Sequence, residues 1–317
     1  AELWMKNKMN HIVVVGSLNM DLVVRVPHMP IPGETVLGND FQNIPGGKGA
    51  NQAVGAARMG ARVTMIGKVG NDEFGKALTK NLANEGVGIS HISVDEKEAT
   101  GIAMITLDQS GQNSIVVASG ANMALKPEDI RTAWKKISDI DVLVMPLEVS
   151  LECVEEAVRL ATESSVKVIL NPAPAQKLSD DLLKKVDVLV PNESETSLLT
   201  GLAVESIEDA KIAAKSLLEK GIGAIVLTLG SRGALLISEN QPAIISTPYK
   251  VNVVDTTAAG DSFVAALSVG IVEGLPLENA LRQATAAGAL AVTKMGAQPC
   301  MPTKKEVNEL MEEQRGE

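Results

Sequence analysis

Aromatic side chains are scarce in this chain of 317 residues, which has two Trp, one Tyr and three Phe. So few rings cannot build the stacking platforms that hold unpaired bases, or a sugar site made of stacked rings. Positive charge is also in deficit, because 29 Lys and Arg stand against 39 Asp and Glu and leave a net charge of −10. A general nucleic-acid binder normally presents a basic face, so that class is disfavoured and we expect no nucleic-acid partner.

The chain also has few cysteines and lacks long apolar runs. Cys153 and Cys300 are the two cysteines, too few for a secreted fold stapled by disulfides, so we expect a reduced, cytoplasmic protein. No apolar run reaches the roughly 18 to 20 residues needed to span a bilayer, and we expect no membrane partner. Residues 1–9 lack the apolar centre of a signal peptide and are interpreted as a leader or expression remnant, with the natural start at Met5 or Met9.

What the chain has in abundance is aliphatic sequence, 45% hydrophobic residues in all. Apolar, β-branched runs alternate with segments of helical period. The candidate strands are Ile12–Val15, Val63–Gly67, Val142–Met145, Lys167–Leu170, Val188–Val190 and Ala224–Leu229. The candidate helices are Gly49–Met59, Phe74–Glu85, Pro127–Ile137, Leu151–Glu163, Glu193–Thr200, Glu208–Lys220, Gly260–Val272, Leu277–Thr293 and Lys304–Gln314. Continuously apolar strands followed by helices predict an α/β fold, a doubly wound and mostly parallel central sheet flanked by helices. A hairpin, Ala234–Ile237 with Ala243–Ser246, is predicted to close one edge.

Two stretches break this alternation. Leu22–Val26 and Thr35–Ile44 have strand character with no helix between them, and Ile102–Leu107 and Asn113–Ala118 flank the turn signal Asp108–Gln112. A small sheet without helices leaves a face uncovered unless it closes over a ligand or pairs with another subunit. We therefore predict one domain over 10–317 with a β-sheet lid made of two insertions, about 21–45 and 100–118, and a homodimer formed through the lid.

The glycine clusters do not match the common nucleotide-binding motifs. Gly47-Lys48 resembles the end of a Walker A motif, but Gln42 stands where its first glycine belongs and Gly49 where it needs Ser or Thr. The dinucleotide fingerprint fails too, because Gln52 occupies its third glycine position. Neither a P-loop NTPase nor an NAD-binding dehydrogenase is supported.

The segment Asp255–Phe263 is the most informative. Small residues from Thr257 to Gly260 let backbone N–H groups approach a ligand closely, and the following helix points its positive end at them. Such an anion site suits the charge that develops during phosphoryl transfer. The helix dipole alone favours an acid such as Asp261 in the first turn. Beside a glycine-lined loop, a base that accepts a substrate hydroxyl proton is the better interpretation.

Here a family resemblance emerges. Asp255–Asp261, together with Gly46–Asn51 and Asn19-Met20-Asp21, resembles the ribokinase family of ATP-dependent carbohydrate kinases over about residues 10–314. Gln52-Ala53-Val54 and Gly296-Ala297-Gln298-Pro299 are closer to its ribose-phosphorylating branch than to the fructokinase or adenosine kinase branches. The resemblance implies transfer of the ATP γ-phosphoryl group to O5 of D-ribose, with Mg²⁺ and K⁺. Deoxyribose, another sugar or a nucleoside as acceptor, and a non-catalytic sugar sensor, remain the alternatives.

The resemblance also implies roles for individual residues. Asp261 would be the catalytic base, with Ala258, Ala259 and Gly260 as the anion hole. The sugar site would comprise Asn19, Asp21, Gly47, Lys48, Asn51, Glu148 and Asp261. Carboxylates, amides and an ammonium suit a pentose, whose hydroxyls both donate and accept hydrogen bonds. The plainer interpretations are a polar turn for Asn19 and Asp21, a solvated loop acid for Glu148 and a surface charge for Lys48.

The nucleotide and cation sites rest on the same resemblance. ATP would contact Asn192, Glu195, Thr228, Gly230, Ser231, Gly233, Gly260 and Thr285. Asn192 would also make an ordinary helix N-cap. The potassium site would use Asp255, Thr257, Ala291, Lys294, Gly296 and Cys300, mostly through backbone carbonyls. Cys300 stands where the family commonly has Ser, and a thiol is a poor ligand for a hard cation, so either the backbone makes that contact or activation is weakened.

Overall fold

A computed structural model of the protein describes residues 10–314, so the expected leader at 1–9 lies outside the described residues. The strands are β1 (His11–Val15), β2 (Asn19–Arg25), β3 (Asp40–Gly46), β4 (Arg62–Gly70), β5 (Gly88–Asp95), β6 (Gly101–Leu107), β7 (Asn113–Ala118), β8 (Val142–Met145), β9 (Lys167–Leu170), β10 (Val188–Leu189), β11 (Ala224–Thr228), β12 (Ala234–Ser238) and β13 (Ile244–Ser246). The helices are α1 (Lys48–Arg58), α2 (Glu73–Asn84), α3 (Pro127–Trp134), α4 (Leu151–Glu163), α5 (Asp180–Leu183), α6 (Glu193–Thr200), α7 (Ile207–Leu218), α8 (Ala259–Val272), α9 (Leu277–Ala291) and α10 (Lys304–Glu313). Short 3₁₀ segments lie at Gly120–Ala124, Gly230–Arg232 and Gln298–Cys300.

The larger sheet has the order β13-β12-β11-β10-β9-β8-β1-β4-β5. Its strands from β11 to β5 run parallel, and β12 and β13 are antiparallel at one edge. The predicted doubly wound, mostly parallel sheet and its edge hairpin are confirmed. Strand β5 was not among the predicted strands, because at the other edge it is only half-buried and lacks the continuous apolar run of a central strand.

Side chains of the central strands point alternately into two apolar layers. In β1, Ile12 and Val14 belong to the layer packed on α1, α8 and α9, whereas Val13 and Val15 belong to the layer packed on α3, α4 and α7. This is why these strands are apolar at every position. Within residues 10–314, no helix is both long and apolar enough to cross a bilayer.

The small sheet has the order β3-β2-β6-β7, and within residues 10–314 no helix lies between β2 and β3 or between β6 and β7, as predicted. Its first stretch differs in detail: the strand begins at Asp40 rather than Thr35 and extends to Gly46, so residues 35–39 are irregular. The register places Met104 opposite Val116 on one face, and Ile105 opposite Ile115 on the other. Val116 and Ile115 are 64% and 51% exposed, so apolar side chains are uncovered on both faces. Whether the small sheet acts as a lid stays a prediction.

The carboxyl ends of the parallel strands bring polar residues to one edge of the larger sheet. Ser17 follows β1, Glu148 follows β8, Asn171 follows β9 and Asn192 follows β10. The chain leaves β1 at the same edge and enters β2 at Asn19, so the small sheet starts there as well. Ligands of open α/β sheets bind in the crevice at this edge.

Candidate active site

Asp261 lies in the first turn of α8 and is only 3% exposed. Its Oδ2 accepts a hydrogen bond from Asn51 Nδ2 at 2.9 Å, and its Oδ1 accepts one from Gln52 Nε2 at 3.0 Å. Helix α1 approaches α8 closely, since a Cβ added at Gly55 would lie 2.7 Å from Ala265 Cβ. This close packing lets two adjacent residues of α1 reach both carboxylate oxygens.

At the start of α8, the Ala259 N–H makes only a long contact of 3.4 Å with the Thr256 carbonyl. Ala258 precedes the helix in the left-handed conformation, with φ 59°, and within the described part of the chain no side chain caps this end. A Cβ added at Gly260 would meet nothing within 4 Å, so open space adjoins the first turn. Unpaired N–H groups and the positive end of the dipole make such a helix start suited to an anion. The predicted anion hole, Ala258 to Gly260, lies at this position.

The glycine-rich turn before α1 packs directly on the end of β1. A Cβ at Gly47 would lie 2.6 Å from the backbone nitrogen of Asn19, and one at Gly49 would lie 2.6 Å from that of Ser17. Glu148 joins the two segments, because its Oε2 accepts hydrogen bonds from the backbone N–H of Lys48 at 3.0 Å and from the Ser17 hydroxyl. Glu148 is therefore anchored rather than a solvated loop acid. Ser17 did not stand out in the sequence.

The carboxylates around this turn influence one another. Burial, followed by the charges of Glu148 and Asp261, raises the pKa of Asp21 to about 7. The pKa of Lys48 is raised, because the negative charge of Asp261, and less strongly those of Glu148 and Glu195, favours its ammonium form. Lys48 is thus the cation of an acidic cluster and not an isolated surface charge.

Asn19 is held by a residue that sequence reasoning missed. Asn122, in the 3₁₀ segment after β7, donates from Nδ2 to Asn19 Oδ1 at 2.8 Å and accepts from the Leu18 N–H at 2.9 Å. A Cβ at Gly101 would lie only 2.2 Å from Asn19 Oδ1, so a glycine is needed where the two asparagines meet. A single Asn beside a short apolar run carries no sequence signal for this contact.

Two buried acceptors in the site have no hydrogen-bond partner within residues 10–314, Asn51 Oδ1 and Gln52 Oε1. A buried polar atom without a partner is costly, which makes its retention a pointer to a ligand or to a functional constraint. The Nδ2 of Asn51 is committed to Asp261, so its oxygen is the atom available to accept a hydroxyl.

Most of the residues predicted to contact ATP form one connected group, whereas Gly260 and Thr285 lie on α8 and α9. Asn192 caps α6 and forms a reciprocal capping box with Glu195, whose pKa is raised by burial. Asn192 also pairs with Thr228, which leads into the 3₁₀ turn that holds Gly230 and Ser231 and ends at Gly233. Thr285 instead lies within α9, where its hydroxyl donates to the Leu281 carbonyl at 2.9 Å.

The residues predicted to bind potassium surround Asp255. Its Oδ1 accepts from the backbone N–H of Thr257 at 2.9 Å, and its Oδ2 accepts from that of Gly296 at 3.0 Å. The Cys300 thiol donates to the Ala297 carbonyl at 2.8 Å and faces the Thr257 carbonyl at 3.7 Å. Burial, and then the charges of Asp255 and Asp261, raise the pKa of Cys300 to about 11, so the thiol stays protonated at neutral pH.

Ala291 and Lys294, two further residues of the predicted potassium site, are held by local contacts. The backbone N–H of Lys294 donates to the Ala291 carbonyl at 3.4 Å. The Lys294 ammonium pairs with Glu306, 2.8 Å away, rather than with Asp255. Only the backbone of Lys294 is therefore positioned for the predicted role.

The chain matches known proteins over nearly its whole length. Residues 9–304 match the model of the pfkB family carbohydrate kinases. A ribokinase of Haemophilus influenzae is 43% identical over 301 residues, which cover 95% of this chain and 98% of that protein. A deoxyribokinase of Salmonella typhi is 36% identical over 301 residues, with coverage of 95% and 98%. The structure of Arabidopsis thaliana ribokinase complexed with ribose and ATP is 34% identical, with a TM-score of 0.86 and coverage of 95% of this chain and 98% of that chain.

Proposed function

Because the chain belongs to the pfkB family of carbohydrate kinases, we propose that it transfers the γ-phosphoryl group of ATP to the O5 hydroxyl of D-ribose. The observation that carries the proposal is the Asp261 carboxylate, buried at the start of a helix and held by amides from the glycine-rich segment. The relatives named ribokinases support ribose as the acceptor. The deoxyribokinase relative makes deoxyribose the second candidate.

Asp261 acts as the general base in this proposal. It takes the proton of the O5 hydroxyl while that oxygen forms a bond to the γ-phosphorus, and the bond from phosphorus to the departing ADP oxygen breaks. A positioned base of this kind contributes about 10²- to 10⁴-fold. The unpartnered Oδ1 of Asn51 accepts a sugar hydroxyl. Asn19, Asp21, Gly47, Lys48 and Glu148 complete the sugar site.

The first-turn amides of α8 stabilise the negative charge that develops on the transferring phosphoryl group. Lys48, charged beside Asp261, adds a cation at the same place. Asn192 and Glu195, with the turn from Thr228 to Gly233, hold the nucleotide phosphates, and Gly260 and Thr285 complete the ATP site. These short-range donors allow a protein of net charge −10 to bind a polyanion.

Magnesium enters with the nucleotide. Within residues 10–314 there is no group of three or more His, Cys, Asp or Glu side chains that could hold a metal. The oxygens of Asn192 and Glu195 fit instead a hydrated ion, since Mg²⁺ keeps several waters and is bound through one or two side chains plus substrate phosphates. When bound, Mg²⁺ supplies neutralisation of the phosphate charge.

Potassium is proposed to bind beside the anion hole, at Asp255 and the carbonyls of Thr257, Ala291, Lys294 and Gly296. Both Asp255 oxygens already accept hydrogen bonds from backbone N–H groups. The carboxylate therefore fixes the shape of the proposed site and also gives it a negative charge. The protonated Cys300 thiol offers a hydrogen atom rather than an oxygen lone pair. We therefore propose that backbone carbonyls make the contacts at that end of the site.

The small sheet completes the proposal as a lid over the sugar and as the contact surface of a homodimer. Its uncovered apolar side chains support that role. A cytoplasmic location rests on the cysteine content, and both Cys153 and Cys300 are buried and unpaired.

The test is ATP consumption by the purified protein across ribose, deoxyribose, fructose and adenosine, each with and without K⁺. The expected result is the highest kcat/KM for ribose, with ribose 5-phosphate as product and a gain in rate when K⁺ is added. Faster turnover of deoxyribose would show that deoxyribose, and not ribose, is the preferred acceptor. Saturable sugar binding without ATP consumption would instead identify a non-catalytic sensor.

A further inference from the structure

Gln52 contacts the proposed base but is assigned no part in binding the sugar or the nucleotide. Its side chain is 1% exposed, and its Nε2 lies 3.0 Å from Asp261 Oδ1 and 3.2 Å from Asn171 Oδ1. One amide nitrogen therefore donates to two oxygens, while the amide oxygen Oε1 has no partner within residues 10–314. The orientation of this amide needs an explanation.

Asn171 supplies that explanation. Its Nδ2 donates to the Val190 carbonyl at 2.9 Å, and a backbone carbonyl can only accept. This contact turns Asn171 Oδ1 towards Gln52, so Gln52 must present its nitrogen to both Asn171 and Asp261. The Val190 carbonyl is itself fixed by the sheet, because the Val190 N–H donates to the Leu170 carbonyl at 2.8 Å. The backbone of β9 and the residue after β10 thus set the direction of both amides.

The consequence is that a hydrogen-bond donor always faces Asp261 Oδ1. A donor held at this fixed position restrains the carboxylate, so that its oxygens keep their direction towards the acceptor hydroxyl. The other oxygen, Oδ2, is held by Asn51, whose oxygen is proposed to contact the sugar. Binding of substrate can disturb the Asn51 contact, whereas the Gln52 contact depends only on the protein.

The unpartnered oxygen separates a functional role from a structural one. Leaving a buried amide oxygen without a partner is costly, and a role in the site explains that cost better than a gain in stability does. We propose that Gln52, oriented by Asn171, is a positioning residue that keeps the Asp261 carboxylate aimed at the acceptor hydroxyl. The proposal rests on the kinase function proposed above.

The test compares kcat and KM in Gln52→Met and Asn171→Leu, substitutions of similar volume without the amide. Because the Asp261 carboxylate would no longer be held towards the acceptor hydroxyl, kcat is expected to fall by about 10- to 100-fold. KM for the sugar changes by less than about threefold, because neither side chain is proposed to contact it. Gln52→Met also removes the donor to Asp261 Oδ1 and Asn171 Oδ1, so its melting temperature falls, and kcat of the folded variant is the deciding measurement.

Gln283→Met is the matched control. Gln283 is also a buried glutamine beside α8, where its Nε2 donates to the Ala266 carbonyl at 2.8 Å. Its replacement is expected to lower the melting temperature and to leave kcat within about twofold of the wild type. A purely structural role for Gln52 would give the same result at both glutamines and would overturn the inference.

The double variant tests whether Asn171 acts through Gln52. Asn171 acts through Gln52, so Gln52→Met with Asn171→Leu should lose no more kcat than Gln52→Met alone. Additive losses of kcat would show that Asn171 does not act through Gln52 and would overturn the inference. A failure of both single variants to fold would overturn it as well. The wild type is assayed first: an inactive wild type refutes the kinase function itself, whereas an active wild type with unchanged kcat in Gln52→Met refutes only the positioning role.

Discussion

Asp261 combines two favourable positions for a carboxylate. The dipole of α8 stabilises negative charge in its first turn, and the amides of Asn51 and Gln52 donate to both oxygens. Neither effect consumes the capacity of the oxygens entirely, since each retains lone pairs for an incoming hydroxyl. The residue is therefore held firmly without being blocked.

Replacement of Asp261 by Asn tests the base directly. The amide has nearly the same shape but cannot take a proton, so kcat should fall by about 10²- to 10⁴-fold. Its Nδ2 would face one of two donors, and a modest loss of stability is expected as well. Steady-state ATP consumption and thermal unfolding measure the two effects, and a folded variant that kept most of its turnover would contradict the assignment.

Asp21 gives a pH-dependent prediction. Burial and the charges of Glu148 and Asp261 raise its pKa to about 7 from 3.8. Between these two values the folded protein holds a proton that the unfolded chain releases, so the free energy of unfolding falls as pH rises and the loss is complete above about 7. Asp21→Asn removes this effect. Its melting temperature should match the wild type near pH 4 and exceed it at pH 8 by at least roughly 3 °C.

The control for that prediction is Asp40→Asn, at an exposed position of the same small sheet. Its melting temperature is expected to follow that of the wild type at every pH. The same Asp21→Asn variant should bind sugar more weakly, because an NH2 donor replaces one carboxylate oxygen that is proposed to accept from a sugar hydroxyl. A stabilisation that is equal at pH 4 and pH 8 would contradict the stated origin of the effect.

The turn into α1 and the start of α8 use glycine for different physical reasons. At Gly49 an added Cβ would lie 2.6 Å from the Ser17 backbone nitrogen and 2.7 Å from Gly16, so a methyl group would force the helix away from β1. At Gly260 the added Cβ meets nothing within 4 Å, and a helical position tolerates alanine. The first glycine permits the close packing on β1, and the second is proposed to keep space for a ligand.

The alanine variants of these two glycines should therefore behave oppositely. Gly49→Ala is expected to lose about 1 to 3 kcal/mol of stability through overpacking. Gly260→Ala should melt at or above the wild-type temperature, yet lose at least about tenfold in kcat/KM for ATP, because the methyl group occupies the proposed anion site. Thermal unfolding and ATP titration give the two measurements. A loss of stability in Gly260→Ala as large as that in Gly49→Ala would show that Gly260 is not kept for a ligand.

The same elements show how far the pattern of residues predicts structure. The parallel strands were predictable because burial on both faces requires apolar residues at every position, as in Ile12–Val15. Asp261 and the glycine turn carry local chemistry, so the sequence singles them out as site candidates, and the structure places them in contact. Asn122 and Asn171 were not, because each acts through a partner at least 19 residues away along the chain. Such contacts are created by the packing of strands and leave no mark on a local pattern.

The distribution of charge matters more than the net value of −10. The charges of Asp261, Glu148 and Glu195 act on Lys48 at the crevice, and this acidic cluster alone would repel a nucleotide. The proposed sources of positive potential are the start of α8 and a hydrated Mg²⁺. Both act on the phosphates over a short distance, where salt screens electrostatic interactions least. Affinity for ATP should therefore depend more on Mg²⁺ than on ionic strength.

Assembly is the remaining prediction, and it follows from the two uncovered faces of the small sheet. Ile115 and Val116 are neighbours on β7 with side chains on opposite faces, exposed by 51% and 64%. Charge at a buried interface is costly, so a lysine on the face that pairs with a second subunit should separate the dimer. Sedimentation at micromolar concentration is expected to show a wild-type dimer and a monomer for Ile115→Lys or Val116→Lys. Ile212→Lys, at a 60% exposed position on α7, is the control and should remain dimeric. A wild-type monomer would contradict the dimer, and two dimeric β7 variants would move the interface away from the small sheet.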